Sequence, residues 1–344
     1  MQKEDLQRIY NQEKAKENEL AKNINDCEKN LNILKLSNHN YRIKTNLFIS
    51  LIILLGLSRS SLFFVVAESK ILSEVILTLL FGGIYLISDF TYRFVVSKKY
   101  GINLFKKVPE KERINKEIEY SIKLEKIKNE DNIVKKSLSY LSNKIKECYN
   151  GLPLFSKNYY LGKNELETKM NNLNESVQEK SLKLKQNVEE YALNKVSRNY
   201  SLINIFLHTI LNICIGTGLI VTLPLLLNLT ISGLFQIILG FILFSGYATC
   251  GNTTFNNARD AFNDYGINLV SLKYLGNTPK NLEKIKEESE FLSKCKIEQM
   301  EVKMVKSLIT NDPYESKEVK LMPKTIEIIP KKIESPKGKI LIKK

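Results

Sequence analysis

Residues 199–258 read NYSLINIFLHTILNICIGTGLIVTLPLLLNLTISGLFQIILGFILFSGYATCGNTTFNNA and contain no Asp, Glu, Lys or Arg, although 26% of the 344-residue chain is charged. An uncharged stretch of this length can cross a hydrocarbon core about 30 Å thick twice, because one helical crossing takes roughly 20 residues. Pro224 lies between the two most apolar parts, residues 202–223 and 231–249. The sequence therefore predicts two membrane-spanning helices joined by a short turn at this proline.

A five-residue motif follows this stretch and recurs after the other strongly apolar region, residues 45–96. The recurrence in the same context predicts two copies of one unit. We interpret the motif as a helix stop, because Gly can end a helix and Asn suits the turn after it. Contact with a shared ligand is the alternative. The copies are Tyr100, Gly101, Ile102, Asn103, Leu104 and Tyr265, Gly266, Ile267, Asn268, Leu269.

The predicted fold is an all-α membrane protein in which two duplicated transmembrane or membrane-inserted helical hairpins are linked by cytoplasmic coiled-coil helices. The prolines of the C-terminal tail are spaced so that no long helix fits, which predicts an extended or disordered segment. The predicted segments are a heptad helix (1–44), a first membrane hairpin (45–96), a cytoplasmic helical hairpin (97–198), a second membrane hairpin (199–258), a cytoplasmic helix (259–310) and a basic tail (311–344).

Apolar residues at heptad spacing predict coiled-coil helices outside the membrane blocks. The clearest run is Leu20, Ile24, Cys27, Leu31 and Leu34. Residues 110–148 and 164–196 carry similar stripes and are separated by a Gly/Pro break, which predicts a helical hairpin. We expect these stripes to pair within one chain or between chains. The expected partners are therefore a second copy of the chain or a coiled-coil protein.

Of the 52 Lys and Arg residues, 49 lie outside the two apolar blocks, and all three flanking segments are basic. If each block crosses an even number of times, these segments share one side, which the positive-inside rule assigns to the cytoplasm. The prediction is a multi-pass membrane protein with both termini cytoplasmic. The net charge of +15 favours contact with the bilayer, including anionic lipids. It favours nucleic acid less, because acids are interleaved with the basic residues.

Four polar side chains in the apolar blocks are candidate functional residues: Arg59, His208, Asn212 and Gln236. Arg59 interrupts the first block, which can span fully, form a shallow wedge, or turn Arg59 towards a polar interior. His208 and Asn212 share a helix face because they are four residues apart. They predict interhelical hydrogen bonds, with a proton or ion path as the alternative.

The sequence offers no candidate for catalysis, for a cofactor or for a metal. No phosphate-binding glycine loop, zinc-protease motif or serine-hydrolase motif is present. The five cysteines are scattered, without CxxC spacing, so neither a disulfide framework nor a zinc site is predicted. We therefore expect no enzymatic activity.

The hydropathy profile, a two-pass hairpin followed by a cytoplasmic helix, resembles the two-transmembrane effector domains of bacterial conflict systems, which are thought to perforate membranes. It is also similar to the bilobed hydrophobic hairpins that intracellular bacteria insert into host vacuole membranes. Neither resemblance carries a residue signature. The leading hypothesis is a non-enzymatic membrane scaffold or tether that uses its coiled-coil helices for self-assembly or recruitment. The alternatives are a pore- or channel-forming effector and a bacterial effector inserted in a host membrane.

Overall fold

The computed structural model describes residues 3–38, 46, 70–101, 103–105, 109–149, 161–226, 233–271 and 273–310. Regular structure in these ranges is entirely helical, which confirms the predicted all-α class. The tail 311–344 and Arg59 lie outside them. The helices are α1 (Lys3–Ser37), α2 (Lys70–Tyr100), α3 (Glu110–Tyr149), α4 (Lys163–Tyr200), α5 (Leu202–Leu226), α6 (Gly233–Asn263) and α7 (Lys273–Thr310).

Four long helices, α1, α3, α4 and α7, pack side by side into a bundle. The most extensive contacts join α1 to α3 and α4 to α7, and α3 also contacts α4 and α7. With 40 residues, α3 is about 60 Å long at 1.5 Å per residue. The bundle is therefore an elongated rod, and α3 lies at its centre.

The N-terminal heptad run packs against α3 within the same chain. Leu20 forms a buried cluster with Val134 and Leu138, while Cys27 on the same stripe is 3% exposed. Near the start of α1, Leu6 packs with Leu141 of α3. These contacts place the predicted heptad pairing inside one chain.

The stripe on α4 packs mainly against α7. Leu166 is fully buried with Val302 of α7, and Val188 is buried with Leu292 of the same helix. Ile133 of α3 joins the second of these clusters, so the predicted contact between α3 and α4 is present there. Helices α3 and α4 nevertheless make their most extensive contacts with other helices, α3 with α1 and α4 with α7. They can do so because each carries apolar residues on more than one side.

Helices α5 and α6 pack against each other, and most of the apolar side chains that the structure describes on them lie on the outside. Within the described ranges, two helical stretches are long and apolar enough to cross a membrane, Lys163–Gly216 and Gln236–Asn263. Only 11% and 6% of their most apolar windows are buried in the protein. Phe241 is 71% exposed and Phe206 is 62% exposed. A soluble core helix of similar composition would have these residues inside.

Two prolines lie inside described helices, and at one of them, Pro224, the sequence predicts a turn. Helix α5 continues past Pro224 to Leu226, and α7 begins at Lys273, before Pro279. A proline removes one backbone donor and kinks a helix, but it does not have to end the helix. Helix α5 therefore includes Pro224, and the predicted turn does not lie at this residue.

Helix lengths in the two halves of the chain correspond in order. Helices α1 and α4 have 35 and 38 residues, α2 and α6 have 31 each, and α3 and α7 have 40 and 38. In each half the first and last of these helices pack against each other.

Candidate functional site at the junction of the bundle and the apolar helices

The described residues of the two motif copies share two backbone features where their helices end. Gly101 has φ 65° and Gly266 has φ 68°, in the left-handed region that glycine adopts without a steric cost. The side-chain oxygens of Asn103 and Asn268 each accept a hydrogen bond at 3.0 Å from the backbone N–H two residues later. Each motif thus forms a left-handed turn followed by an Asx turn, the geometry expected of a helix stop.

In the second copy the stop is a Schellman motif. The N–H of Ile267 donates to the carbonyl of Phe262, and the N–H of Gly266 donates to that of Asn263. The side chains of Ile267 and Phe262 then pack in one buried cluster with Ile114 of α3. The motif therefore fixes α6 to the bundle.

The surroundings of the first copy are different. Asn103 and Phe105 are exposed, and the Phe105 ring lies 5.7 Å from that of Phe90 on α2. Tyr92 on α2 donates a hydrogen bond at 3.0 Å to the carbonyl of Leu36 at the end of α1. The local geometry of the motif recurs, but its packing on the bundle does not.

A polar network joins α3 to α4 and α6 next to the second motif. Thr254 of α6 donates to Glu110 at 3.1 Å. One turn further along α3, Arg113 Nη1 donates to the Tyr200 hydroxyl at 3.2 Å, and that hydroxyl donates to Glu117 at 2.7 Å. The Arg113 side chain is only 6% exposed and forms ion pairs with Glu117 at 3.4 Å and with Glu110 at 3.5 Å. This buried network ties the bundle to the apolar helices.

A cavity of about 1080 Å³ extends from this network in both directions. Towards the bundle its walls carry charged side chains of α1, α3 and α4. Towards the apolar helices its walls are formed by α2, α5 and α6. The end towards the bundle is lined by residues that include Glu28, Arg113, Glu117, Glu125, Lys195 and Tyr200. The end towards the apolar helices is lined by residues that include Gly82, Ile205, His208, Asn212, Ile242 and Gly246.

The charged end is electrically balanced. Three acids and three bases line it: Glu28, Glu117 and Glu125 against Lys35, Arg113 and Lys195. Lys195 forms an ion pair with Glu125 at 2.8 Å, and Glu28 forms one with Lys128 at 2.8 Å. Across the described ranges, no three His, Cys, Asp or Glu side chains are grouped so that they could hold a metal ion. The arrangement is suited to hydrogen bonding with a polar molecule of no net charge.

Of the polar residues predicted from the apolar blocks, His208 and Asn212 line this cavity together. Gln236 is half-buried on α6 and is not part of the cavity wall. Sequence reasoning missed Arg113 and Tyr200, because Arg113 lies in a charged run that reads as a solvated helix face. The sequence did contain an indication that this part of α3 is buried. Ile114 and Ile118, just after Arg113, are four residues apart, which is the spacing of a buried helix face.

Comparisons of the chain with protein-family models, with curated proteins and with solved structures find no match.

Proposed function

We propose that the chain is a multi-pass integral membrane protein whose helical bundle forms a rigid, non-enzymatic scaffold or tether on the cytoplasmic side. One observation carries the proposal. The apolar residues of α5 and α6 face outwards, whereas those of the bundle face inwards. An apolar outer surface is stable against hydrocarbon and costly in water, so a bilayer is the environment that suits both parts.

The bundle supports an even number of crossings for each apolar block. Its helices come from three segments of the chain, before, between and after the blocks, and they pack against one another. Segments in mutual contact share one side of a membrane. The excess of Lys and Arg in these segments then assigns that side to the cytoplasm, with both termini there.

Duplication of one unit is part of the proposal. Its support is the recurrence of the motif sequence, of the positive-φ glycine and of the Asx turn, at the ends of two 31-residue helices. Matched helix lengths before and after each apolar block point the same way. We infer two similar units that differ in how their apolar helices pack on the bundle.

A scaffold is favoured over an enzyme because Arg113, Glu117, Glu125 and Lys195 of the junction are already held in ion pairs. Arg113, Glu117 and Tyr200 also hydrogen-bond to one another, although Arg113 Nη2 makes no hydrogen bond within the described part of the chain. A rod roughly 60 Å long offers an extended outer surface for partners or for further copies. Since the heptad faces are used inside the chain, recruitment is assigned to that outer surface.

A pore-forming function is the second candidate. The observation that favours it is the position of His208 and Asn212, two polar side chains of an apolar helix that line one cavity. A conducting path would need several copies around a common axis, because the described apolar helices of one chain are too few to enclose a channel.

Liposomes containing the purified full-length protein separate the two functions. A tether leaves a trapped dye inside and clusters the vesicles, which light scattering measures. A pore releases the dye and leaves the scattering unchanged. Membrane insertion itself is tested by alkaline carbonate extraction, which an integral protein resists. Release of the protein into the soluble fraction would contradict both candidates.

A further inference from the structure

We propose that the junction cavity binds one molecule of a zwitterionic phospholipid, with its head group between the charged walls and an acyl chain along α5 and α6. This inference rests on the proposed insertion into a bilayer and adds a ligand to it. It would make the lipid a structural part of the junction between the two halves of the molecule.

The shape of the cavity matches an elongated amphiphile. From Arg113 to Glu125 the charged wall covers thirteen residues of α3, which is about 18 Å of helix. In the other direction, Ile242 to Thr254 covers thirteen residues of α6, again about 18 Å. One leaflet of a hydrocarbon core is about 15 Å thick, so the second wall is long enough for one acyl chain. The two walls meet where Thr254 donates to Glu110.

The charge of the walls selects the head group. Arg113 and Lys195 already lie within 3.4 Å of carboxylates, so a head group with net negative charge would have to compete with Glu117 and Glu125. A zwitterion adds no net charge to a balanced site, and burying an unbalanced charge is costly. Its phosphate can approach Lys195, whose side chain is 55% exposed, while its ammonium group approaches Glu28, which is 50% exposed.

The apolar end has space for an acyl chain. Gly246 on α6 and Gly82 on α2 both line the cavity, and a Cβ built on either of them meets no atom within 4 Å. Ile205 and Ile242 provide apolar walls there. Leucine at one of these glycines would project into the space assigned to the chain and would also favour the helix, because Gly is a poor helix former.

The test is native mass spectrometry of the full-length protein in mixed micelles of a non-ionic detergent with equal amounts of phosphatidylethanolamine, phosphatidylcholine and phosphatidylglycerol. We expect a one-to-one adduct with phosphatidylethanolamine or phosphatidylcholine. In the Gly246→Leu variant the adduct should fall by about tenfold, which corresponds to about 1.4 kcal/mol. Gly218→Leu on α5 is the matched control, since its Cβ also meets nothing and it lies outside the cavity wall.

Three results would overturn the inference: preferential binding of phosphatidylglycerol, no lipid adduct, or equal loss of the adduct in Gly246→Leu and Gly218→Leu. If Gly246→Leu fails to fold by circular dichroism, Gly82→Leu applies the same test from the opposite wall, with the adjacent Gly83→Leu as control. Carbonate extraction of wild-type protein distinguishes failure of this inference from failure of the proposed function. Protein that stays in the membrane but carries no lipid contradicts this inference and leaves the proposed function intact.

Discussion

Helices α2 and α6 are each followed by a glycine of the repeated motif whose backbone conformation is unfavourable for other residues. With φ near +65° at Gly101 and Gly266, the chain leaves the helix axis at once. In the second copy this change of direction places Ile267 and Leu269 in the junction cluster with α3 and α4. The glycine therefore controls both the length of α6 and its attachment to the bundle.

Valine at these glycines should be destabilising, and more so in the second copy. A β-branched residue in the left-handed region costs roughly 1–3 kcal/mol, and at residue 266 the strain also disturbs a buried cluster. We expect a lower melting temperature for Gly266→Val than for Gly101→Val in detergent-solubilised protein. Gly266→Asn is the control, because Asn tolerates this region better. Equal tolerance of Val and Asn at both sites would contradict the helix-stop interpretation.

The buried Arg113 network should distinguish loss of a charge from loss of a hydrogen bond. Arg113→Ala leaves Glu117 and Tyr200 without their cation, and we expect a loss of roughly 3–5 kcal/mol in the free energy of unfolding. Tyr200→Phe keeps the charges but removes two hydrogen bonds, the one donated to Glu117 and the one accepted from Arg113, and should cost roughly 1–3 kcal/mol. Lys116→Ala breaks a pair whose side chains are 49% and 52% exposed, and should leave the free energy of unfolding nearly unchanged because solvent screens this pair. Chemical unfolding followed by circular dichroism gives all three values; similar losses for Arg113→Ala and Lys116→Ala would show that the network is not structural.

At the scale of whole helices, sequence periodicity identifies which faces are buried but not which helices meet. The stripe with Leu166 and Val188 is buried as predicted, yet its main partner is α7 and not the neighbouring α3. An apolar stripe carries no record of its partner, because burial against any apolar face gains similar free energy. The cavity could not be predicted for the same reason. Its residues come from six helices, and only the packing of these helices brings them together.

Charge placed in the stripe of α4 should separate this helix from α7. Leu173 packs beside the Val302 cluster and Val177 beside the cluster that contains Leu292. Replacing both with Lys puts unpaired charge into an apolar seam, and we expect a loss of roughly 4 kcal/mol or more. Leu182→Lys on the same helix is the control; its side chain is 58% exposed, so the change should stay within about 0.5 kcal/mol. Thermal melting of the full-length chain measures both, and an unchanged melting temperature for the double variant would exclude the stripe as a packing face.

For the molecule as a whole, packing within the bundle decides which cysteine positions can report on membrane topology by thiol labelling. Native thiols on the bundle are unsuitable reporters, because Cys27 and Cys295 are 3% and 6% exposed. Burial also raises the pKa of both thiols, which lowers the fraction of reactive thiolate. These cysteines would resist labelling from either side of a membrane. Exposed positions on the same helices avoid both problems.

Cysteines introduced at Lys22 of α1, Gln186 of α4 and Lys294 of α7 report on the three segments that flank the apolar blocks, and all three positions are exposed. In a background with Cys148, Cys214 and Cys250 replaced by Ser, a membrane-impermeant maleimide should label none of the three variants in intact cells and all of them after permeabilisation. The reason is packing: α1, α4 and α7 each contact another helix of one bundle, so they cannot lie on opposite sides of a bilayer. The proposed orientation, which rests on the basic residues of these segments, puts that side in the cytoplasm. Labelling of only one or two variants in intact cells would mean that the bundle does not assemble as described, whereas labelling of all three would keep the bundle and reverse the proposed orientation.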